Sequence, residues 1–123
     1  MKLLQRREDE MPRFDFIVFT NCKEGTDDEF NDWYTHQHLQ DVMRIPGVVS
    51  SQRFKRSEHQ RDPGPFEWNY LAIYNCDTDD VQDIIGQIRA RVNTDAMPIS
   101  DTLAEKRFFC VFEPITDMQY PKE

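Results

Sequence analysis

The residues best suited to carry chemistry lie on the first helix that the sequence predicts. At about 100° per residue, Tyr34, His38 and Asp41 fall on the side of this helix that also carries its apolar residues. An imidazole with a pKa near neutrality is the usual general base or acid, so His38 is the predicted catalytic group. Tyr34 can donate a hydrogen bond to a developing oxyanion, and Asp41 can orient the imidazole.

Each of these three side chains also fits a purely structural role. His38 can be a core histidine bonded to its neighbours, Tyr34 an ordinary packed ring, and Asp41 a solvated carboxylate at the helix end. Because Tyr34 and Asp41 share a face with His38, the catalytic interpretation gains weight until the two are about equal. The residue pattern leaves both interpretations open.

The three histidines are not spaced as ligands of one metal ion. His36 and His38 project about 200° apart around a helix, which places His36 in solvent. His59 lies in a predicted loop without a partner at ligand spacing. Only four glycines occur, and none forms a phosphate-binding GxGxxG or GxxxxGK loop. We therefore expect no metal and no cofactor.

Residues on the predicted strands are candidates for contact with a substrate. Arg53 would bind a carboxylate or phenolate if it faced a pocket, and would otherwise be solvated. Trp68 and Tyr70 could form an aromatic wall, and they could equally lie in a subunit interface. A pocket lined by rings suits an aromatic substrate better than a sugar or a nucleotide.

Six elements position these residues, in the order strand, helix, strand, strand, helix, strand. Aromatic and β-branched runs predict the strands, and apolar residues at helical spacing predict the helices. Thr26 and Glu29 match a capping box at the start of the first helix, and Pro46 and Gly47 end it. The predicted strands span 14–22, 48–56, 66–76 and 107–113, and the predicted helices span 27–44 and 81–92.

This order predicts an α+β, ferredoxin-like βαββαβ fold, a four-stranded antiparallel sheet with both helices on one face. The third strand is partly apolar on both sides, because a mostly aromatic set at the even positions from 66 to 74 alternates with Leu71 and Ile73. A sheet with two apolar faces needs a second cover. We expect a second copy of the chain there, in a homodimer that closes a two-sheet barrel.

Composition limits the partners and the location of the protein. The 123 residues suffice for one domain, predicted over 13–118, with a flexible arm over 1–12 and a tail over 119–123. A net charge of -8 disfavours nucleic acid and membrane surfaces. Three distant cysteines without a CxxC pair indicate buried, free thiols in the cytoplasm, with a catalytic cysteine as the weaker alternative.

The segment from Glu29 to Phe54 resembles the dimeric α/β-barrel superfamily, most closely its EthD-like and related uncharacterised branches. The shared pattern is a Trp-Tyr pair and a His-Leu-x-Asp run in the helix, a Pro-Gly turn, and an Arg-aromatic pair ending the strand. Gln40 stands where that family has a proline, so the helix can continue here. The matching residues are Trp33, Tyr34, His38, Leu39, Asp41, Pro46, Gly47, Arg53 and Phe54.

The resemblance implies a homodimer with one pocket per subunit, between the first helix and the sheet. It implies cofactor-independent proton transfer on a small aromatic or polyketide-like compound, by an enzyme of the lyase, isomerase or cyclase type. The alternatives are a cofactor-free monooxygenase, a haem protein with His38 as axial ligand, and a non-catalytic ligand-binding protein. The implied catalytic residues are His38, Tyr34 and Asp41, and Trp33 and Arg53 are the matching candidates for substrate binding. Trp68 and Tyr70 join them as substrate-binding candidates on the pattern of the third strand alone.

Overall fold

The computed structural model describes residues 13–123, so the arm predicted over 1–12 lies outside the described residues. This range forms four strands and three α-helical segments, of which the first two are joined by a π-helical turn. No helix in it has both the length and the apolar character needed to cross a membrane. The elements are β1 (Arg13–Thr20), α1 (Asp27–Trp33), the π turn (Tyr34–His38), α2 (Leu39–Met43), β2 (Val48–Lys55), β3 (Tyr70–Asp77), α3 (Val81–Arg91) and β4 (Phe108–Phe112).

The four strands form one antiparallel sheet in the order β2-β3-β1-β4. β1 pairs with both β3 and β4, and β2 pairs with β3, so β1 and β3 are the central strands. The run from α1 to α2 connects β1 to β2, and α3 connects β3 to β4. This is the predicted ferredoxin-like α+β fold, which is therefore confirmed.

The core lies between one face of the sheet, here called the covered face, and the helices. Phe16 of β1 and Tyr74 of β3 are paired in register on this face and are 0% and 2% exposed. They belong to one hydrophobic cluster with Phe30 of α1 and Ile84 of α3. Because both helices contribute to that cluster, both pack on the covered face, as predicted.

The opposite side of the sheet, here called the open face, is also apolar. Ile17 of β1 lies beside Ile73 of β3 on this face, and their partners on the outer strands are Cys110 and Gln52. Rings occupy the next positions of the same face on the outer strands, at Phe54, Phe108 and Phe112. Phe108 and Phe112 of β4 are 53% and 62% exposed. Contiguous apolar surface of this kind on a sheet is typical of a protein interface.

The third strand begins at Tyr70, later than the predicted start at residue 66. Ahead of it, the amide of Asn69 donates to a side-chain oxygen of the β1–α1 loop at 2.8 Å. Side chains alternate between faces only within a regular strand, so the prediction that Trp68 and Tyr70 share a side is wrong. Trp68 packs against Phe19 on the open face, whereas Tyr70 packs against Phe30 on the covered face.

The other elements begin and end within about two residues of their predicted bounds. The first helix starts where predicted, but its capping box does not form. The hydroxyl of Thr26 donates to the carbonyl of Lys23 at 2.7 Å, and no side chain in the described range caps the helix. Its acidic first turn still complements the positive end of the helix dipole.

Candidate active site

A cavity of about 340 Å³ lies between the covered face of the sheet and the helices. Its walls are mostly apolar and come from β1, β3, β4, the π turn, α2, α3 and the segment between α3 and β4. A cavity of this size and character suits a small hydrophobic ligand with a few oriented polar groups. The polar lining consists of Thr20, Tyr34, His38, Tyr74, Arg89 and Arg107.

The π turn contributes two of these polar side chains, one from each of its ends. The rings of Tyr34 and His38 meet edge to face, with their centroids 4.8 Å apart. The sequence predicts a regular α-helix here, since no proline or glycine marks the irregular turn. A π-helical turn inside an α-helix occurs frequently at functional sites. The irregular backbone thus lies at Tyr34 and His38, the same two residues that helical spacing selects as candidates.

His38 is partly buried, and its ring stacks on Trp33 with the centroids 4.8 Å apart. Burial lowers the pKa of His38 from 6.5 to about 4; Asp41 opposes this shift, and Arg107 and Arg53 add to it. The near-neutral pKa expected from the sequence is therefore wrong, because burial disfavours the charged imidazolium. At pH 7 the imidazole is neutral and able to accept a proton.

The Nδ1 atom of His38 is buried, and no residue of the described range bonds to it. A core histidine retained for structure would bond its buried nitrogens to neighbours, which was the structural alternative for this residue. Because no described residue uses this nitrogen and the His38 ring lines the cavity, the nitrogen can form a hydrogen bond with a bound molecule.

Two tyrosine hydroxyl groups meet at the cavity. Tyr74 Oη donates to Tyr34 Oη at 3.1 Å, and each residue is 2% exposed. Burial raises the pKa of both phenols, so both are protonated at neutral pH. Because Tyr34 accepts the proton of Tyr74, its own proton is available to a ligand. The sequence analysis missed Tyr74, although its even position in the third strand was a usable signal.

Asp41 is 5% exposed, which excludes the solvated carboxylate considered from the sequence. Its Oδ1 accepts from Arg44 Nη1 at 2.5 Å, and its Oδ2 is buried without a partner in the described part of the chain. Asp41 does not line the cavity. Its charge favours the protonated form of His38, so it fits a positioning residue that supports the imidazolium.

Arg53 lies behind the tyrosine and away from the cavity. Its guanidinium carbon is 4.5 Å from the centroid of the Tyr34 ring, a cation–π distance. Its Nη1 donates to the hydroxyl of Thr35 at 2.9 Å. Arg53 is thus neither solvated nor part of the cavity lining, and the positive charge beside Tyr34 opposes the rise in the pKa of that phenol.

The other residues predicted to bind substrate also lie outside this cavity. Trp33 packs behind His38, Trp68 lies on the open face, and the hydroxyl of Tyr70 donates to Asp27 at 2.5 Å. Their contact with a substrate stays a prediction. His36 is on the exposed side of the helix, as its spacing predicts.

Arg89 and Arg107 line the cavity, and sequence analysis selected neither. Arg89 lies near the end of α3 and Arg107 directly before β4. The two are 18 positions apart in the chain, so only the tertiary fold brings them to one cavity. Arg107 is close enough for its charge to lower the pKa of His38.

Thiols and metal ligands contribute little to this site. Cys22, Cys76 and Cys110 are free, and none of them lines the cavity. Burial raises the pKa of the Cys76 thiol to about 11, which leaves little of the thiolate that a nucleophile requires. No three metal-ligating side chains lie together within residues 13–123.

Comparison with known proteins gives one informative likeness. A solved structure from Nitrosomonas europaea, which carries the provisional name of antibiotic biosynthesis monooxygenase, is similar to 91% of this chain over 96% of its own length. The TM-score is 0.58 and the sequence identity is 15%. No protein-family model and no curated protein sequence matches the chain. At this identity the likeness shows the ferredoxin-like fold alone.

Proposed function

We propose that the chain is an enzyme that transfers protons on a small aromatic or polyketide-like compound, with its own side chains as the acid and base. The observation that carries this proposal is the neutral, unpaired imidazole of His38 beside the hydroxyl of Tyr34 in an apolar cavity. A base and an oxyanion donor on one small cavity are the parts that enolisation requires.

In the proposed reaction, His38 takes a proton from a carbon next to a carbonyl group or from a phenol. The charge left on the substrate oxygen accepts the hydrogen bond of Tyr34, whose own oxygen is held by Tyr74. The buried charge of Asp41 stabilises the imidazolium that forms. Return of the proton to another carbon gives an isomerase. In a cyclase the carbanion attacks a second carbonyl carbon of the same molecule, whose oxygen takes the proton from His38. In a lyase the electron pair expels a group from the adjacent carbon, and that group leaves with the proton.

The low pKa of His38 favours acidic substrates. A base with a pKa of about 4 is fully in its basic form at neutral pH, but it removes a proton efficiently only from a comparatively acidic group. Phenols and carbons between two carbonyl groups are acidic in this sense. Polyketide-like compounds are rich in both, which supports this substrate class over simple ketones.

A cofactor-free monooxygenase is the second candidate, favoured by the name of the structural neighbour. The same deprotonated substrate would then react with oxygen rather than recover its proton. Oxygen consumption during turnover, measured with an electrode, separates the two reactions. The haem alternative predicts a Soret band after reconstitution, and a non-catalytic protein would release its ligand unchanged.

We further propose that two copies of the chain pack their open faces together in a dimeric α/β barrel, of the EthD-like or a related branch. The support is the apolar character of that face, where Phe54, Phe108 and Phe112 are each more than 40% exposed. A buried central patch of rings is typical of stable homodimers. The cavity lies on the other side of the sheet, so each subunit would hold its own site.

The substitution His38→Gln tests the proposed function. Glutamine keeps a hydrogen-bonding group but cannot carry the proton at neutral pH, so turnover should fall by ~10²–10⁴ while the protein stays folded. The matched control is His36→Gln, on the exposed side of the same helix, which should keep wild-type turnover. Normal turnover of the His38→Gln variant would show that His38 is not the base.

A further inference from the structure

We infer that the substrate carries a permanent anionic group, such as a carboxylate, that Arg89 and Arg107 bind while its apolar body occupies the cavity. This inference rests on the proposed function only in calling the ligand a substrate. The two arginines come from different elements and line the same cavity as His38 and Tyr34. Guanidinium groups match the planar geometry of a carboxylate.

The lining of the cavity contrasts with the composition of the chain. The whole sequence has 23 acidic and 15 basic residues, yet among residues 13–123 two arginines and no aspartate or glutamate line the cavity. An acidic protein repels anions at long range, so the positive charge of this cavity does not follow from the overall charge. It would favour anionic over cationic ligands within the cavity. A cationic substrate would find no carboxylate in the lining to pair with.

Both arginines are available to a ligand. Six other arginines lie within residues 13–123, and each of them donates a side-chain hydrogen bond to a neighbour in that range. Arg89 and Arg107 make no such bond and no ion pair with a described residue. Two guanidinium groups that no residue of 13–123 engages, at one cavity, are suited to bind an external anion.

The apolar lining of the cavity indicates that the rest of the ligand, beyond its anionic group, is apolar. Side chains such as Ile88, Met97 and Phe109 line the same cavity as the arginines and the reacting groups. An inorganic anion would leave that surface uncovered, whereas an aromatic or polyketide-like acid would fill it. The carboxylate would thus fix the orientation of the substrate and direct its reacting carbon toward His38.

A binding experiment with two near-identical probes tests this inference. Naphthalene-2-carboxylate carries the charge, and naphthalene-2-carboxamide has the same shape without it. Titration is followed by the NMR signals of the His38 ring, which report occupancy of the cavity rather than of the open face. We expect the carboxylate to bind about tenfold or more tightly than the amide, as charged hydrogen bonds allow.

The arginines are then removed one at a time. Arg107→Gln and Arg89→Gln should each reduce the preference for the carboxylate while leaving the affinity for the amide unchanged. Arg91→Gln is the matched control, because Arg91 lies on the same helix, bonds to Gln87 and does not line the cavity. The preference of the wild-type protein should also weaken in high salt, a test that needs no variant.

Three results would overturn the inference: equal binding of the two probes, a preference that survives both substitutions, or a carboxylate that leaves the His38 signals unchanged. The readout is binding, so it separates this inference from the proposed reaction. An inactive protein that prefers the carboxylate would retain the anion site and lose the catalytic role. An active protein without the preference would retain the catalytic role alone.

Discussion

The two faces of the sheet differ in how their apolar side chains are used. On the covered face, Phe16 and Tyr74 are almost completely buried beneath helices, and the packing leaves a cavity with a histidine and two tyrosines. On the open face, Phe108 and Phe112 are more than half exposed. The same sheet therefore helps to enclose a cavity on one side and presents exposed aromatic rings on the other.

In the proposed dimer, this difference separates the side chains that affect folding or catalysis within one subunit from the side chains that affect association of the subunits. A side chain on the covered face acts within one subunit, so its substitution changes folding or catalysis at any protein concentration. In the proposed dimer, a side chain on the open face acts through a second copy, so the effect of its substitution depends on protein concentration by mass action. The four predictions that follow test this separation, beginning with the largest expected effect.

Removal of a ring from the covered face should be the most damaging change. Phe16 is 0% exposed in the centre of the core, so Phe16→Ala should lower the free energy of unfolding by about 3–5 kcal/mol. Urea denaturation at two protein concentrations measures this loss, which should be the same at both. A loss that appears only in dilute protein would mean that the core residue acts through the dimer.

Acidification should destabilise the covered face through His38. Its pKa is about 4 in the folded protein against 6.5 in an exposed histidine, so the unfolded state binds the proton first. Stability is therefore lost as the pH falls from about 6.5 toward 4, by an amount that approaches about 3 kcal/mol.

The variant His38→Gln cannot titrate in this window, so its unfolding free energy should fall less with acid than that of the wild type. His36→Gln should follow the wild-type curve, because His36 is exposed. Denaturation between pH 7 and pH 4 measures the three slopes. Parallel curves for all three proteins would show that His38 is not buried as a neutral base.

Sequence patterns predicted the fold well because each element has a strong local signal. Alternating rings give the strands, and Pro46 with Gly47 ends the first helix, so five of the six elements were placed within two residues. The third strand started late because the turn before it binds its backbone to a side chain of another loop. A contact between segments that are distant in the chain cannot be predicted from the residue pattern of either segment alone.

The candidate site was predicted only in part, for the same reason. Helical spacing brought Tyr34 and His38 together, and both line the cavity. Spacing within one helix could not find Tyr74, Arg89 or Arg107, because the tertiary fold brings those residues to the cavity from three other places. The pKa expected for His38 was also wrong, because it was the value of an exposed imidazole. The burial that lowers this pKa depends on all of the elements packed around the ring.

A charge on the open face should separate the proposed dimer and leave the subunit intact. Phe108 is 53% exposed on β4, so Phe108→Asp would place a carboxylate within the apolar interface. Loss of an interface ring of this kind typically costs about 2 kcal/mol, which corresponds to a dissociation constant about 30-fold weaker. Sedimentation at several concentrations measures the constant.

The control for the dimer is Gln82→Asp. Gln82 is exposed on α3, which packs on the covered face, so the same charge is added on the side of the sheet away from the proposed interface. It should leave the oligomeric state unchanged. A wild-type protein that is monomeric at micromolar concentration would contradict the proposed dimer, and so would a Phe108→Asp variant that associates normally.

The smallest effect should come from Tyr74, which in the proposed reaction acts through its hydrogen bond to Tyr34. Tyr74→Phe keeps the buried ring but removes the hydroxyl that donates to Tyr34 Oη at 3.1 Å. Tyr34 keeps its own proton, so the variant should lose about tenfold in kcat, against the ~10²–10³ expected when Tyr34→Phe removes the oxyanion donor itself. KM should change little, because the ring that contacts the substrate remains.

The control for this prediction is Tyr120→Phe, since Tyr120 is 79% exposed. A Tyr74→Phe variant as slow as Tyr34→Phe would place Tyr74, and not Tyr34, against the developing charge, whereas full activity would show that Tyr34 orients its proton without help from the sheet.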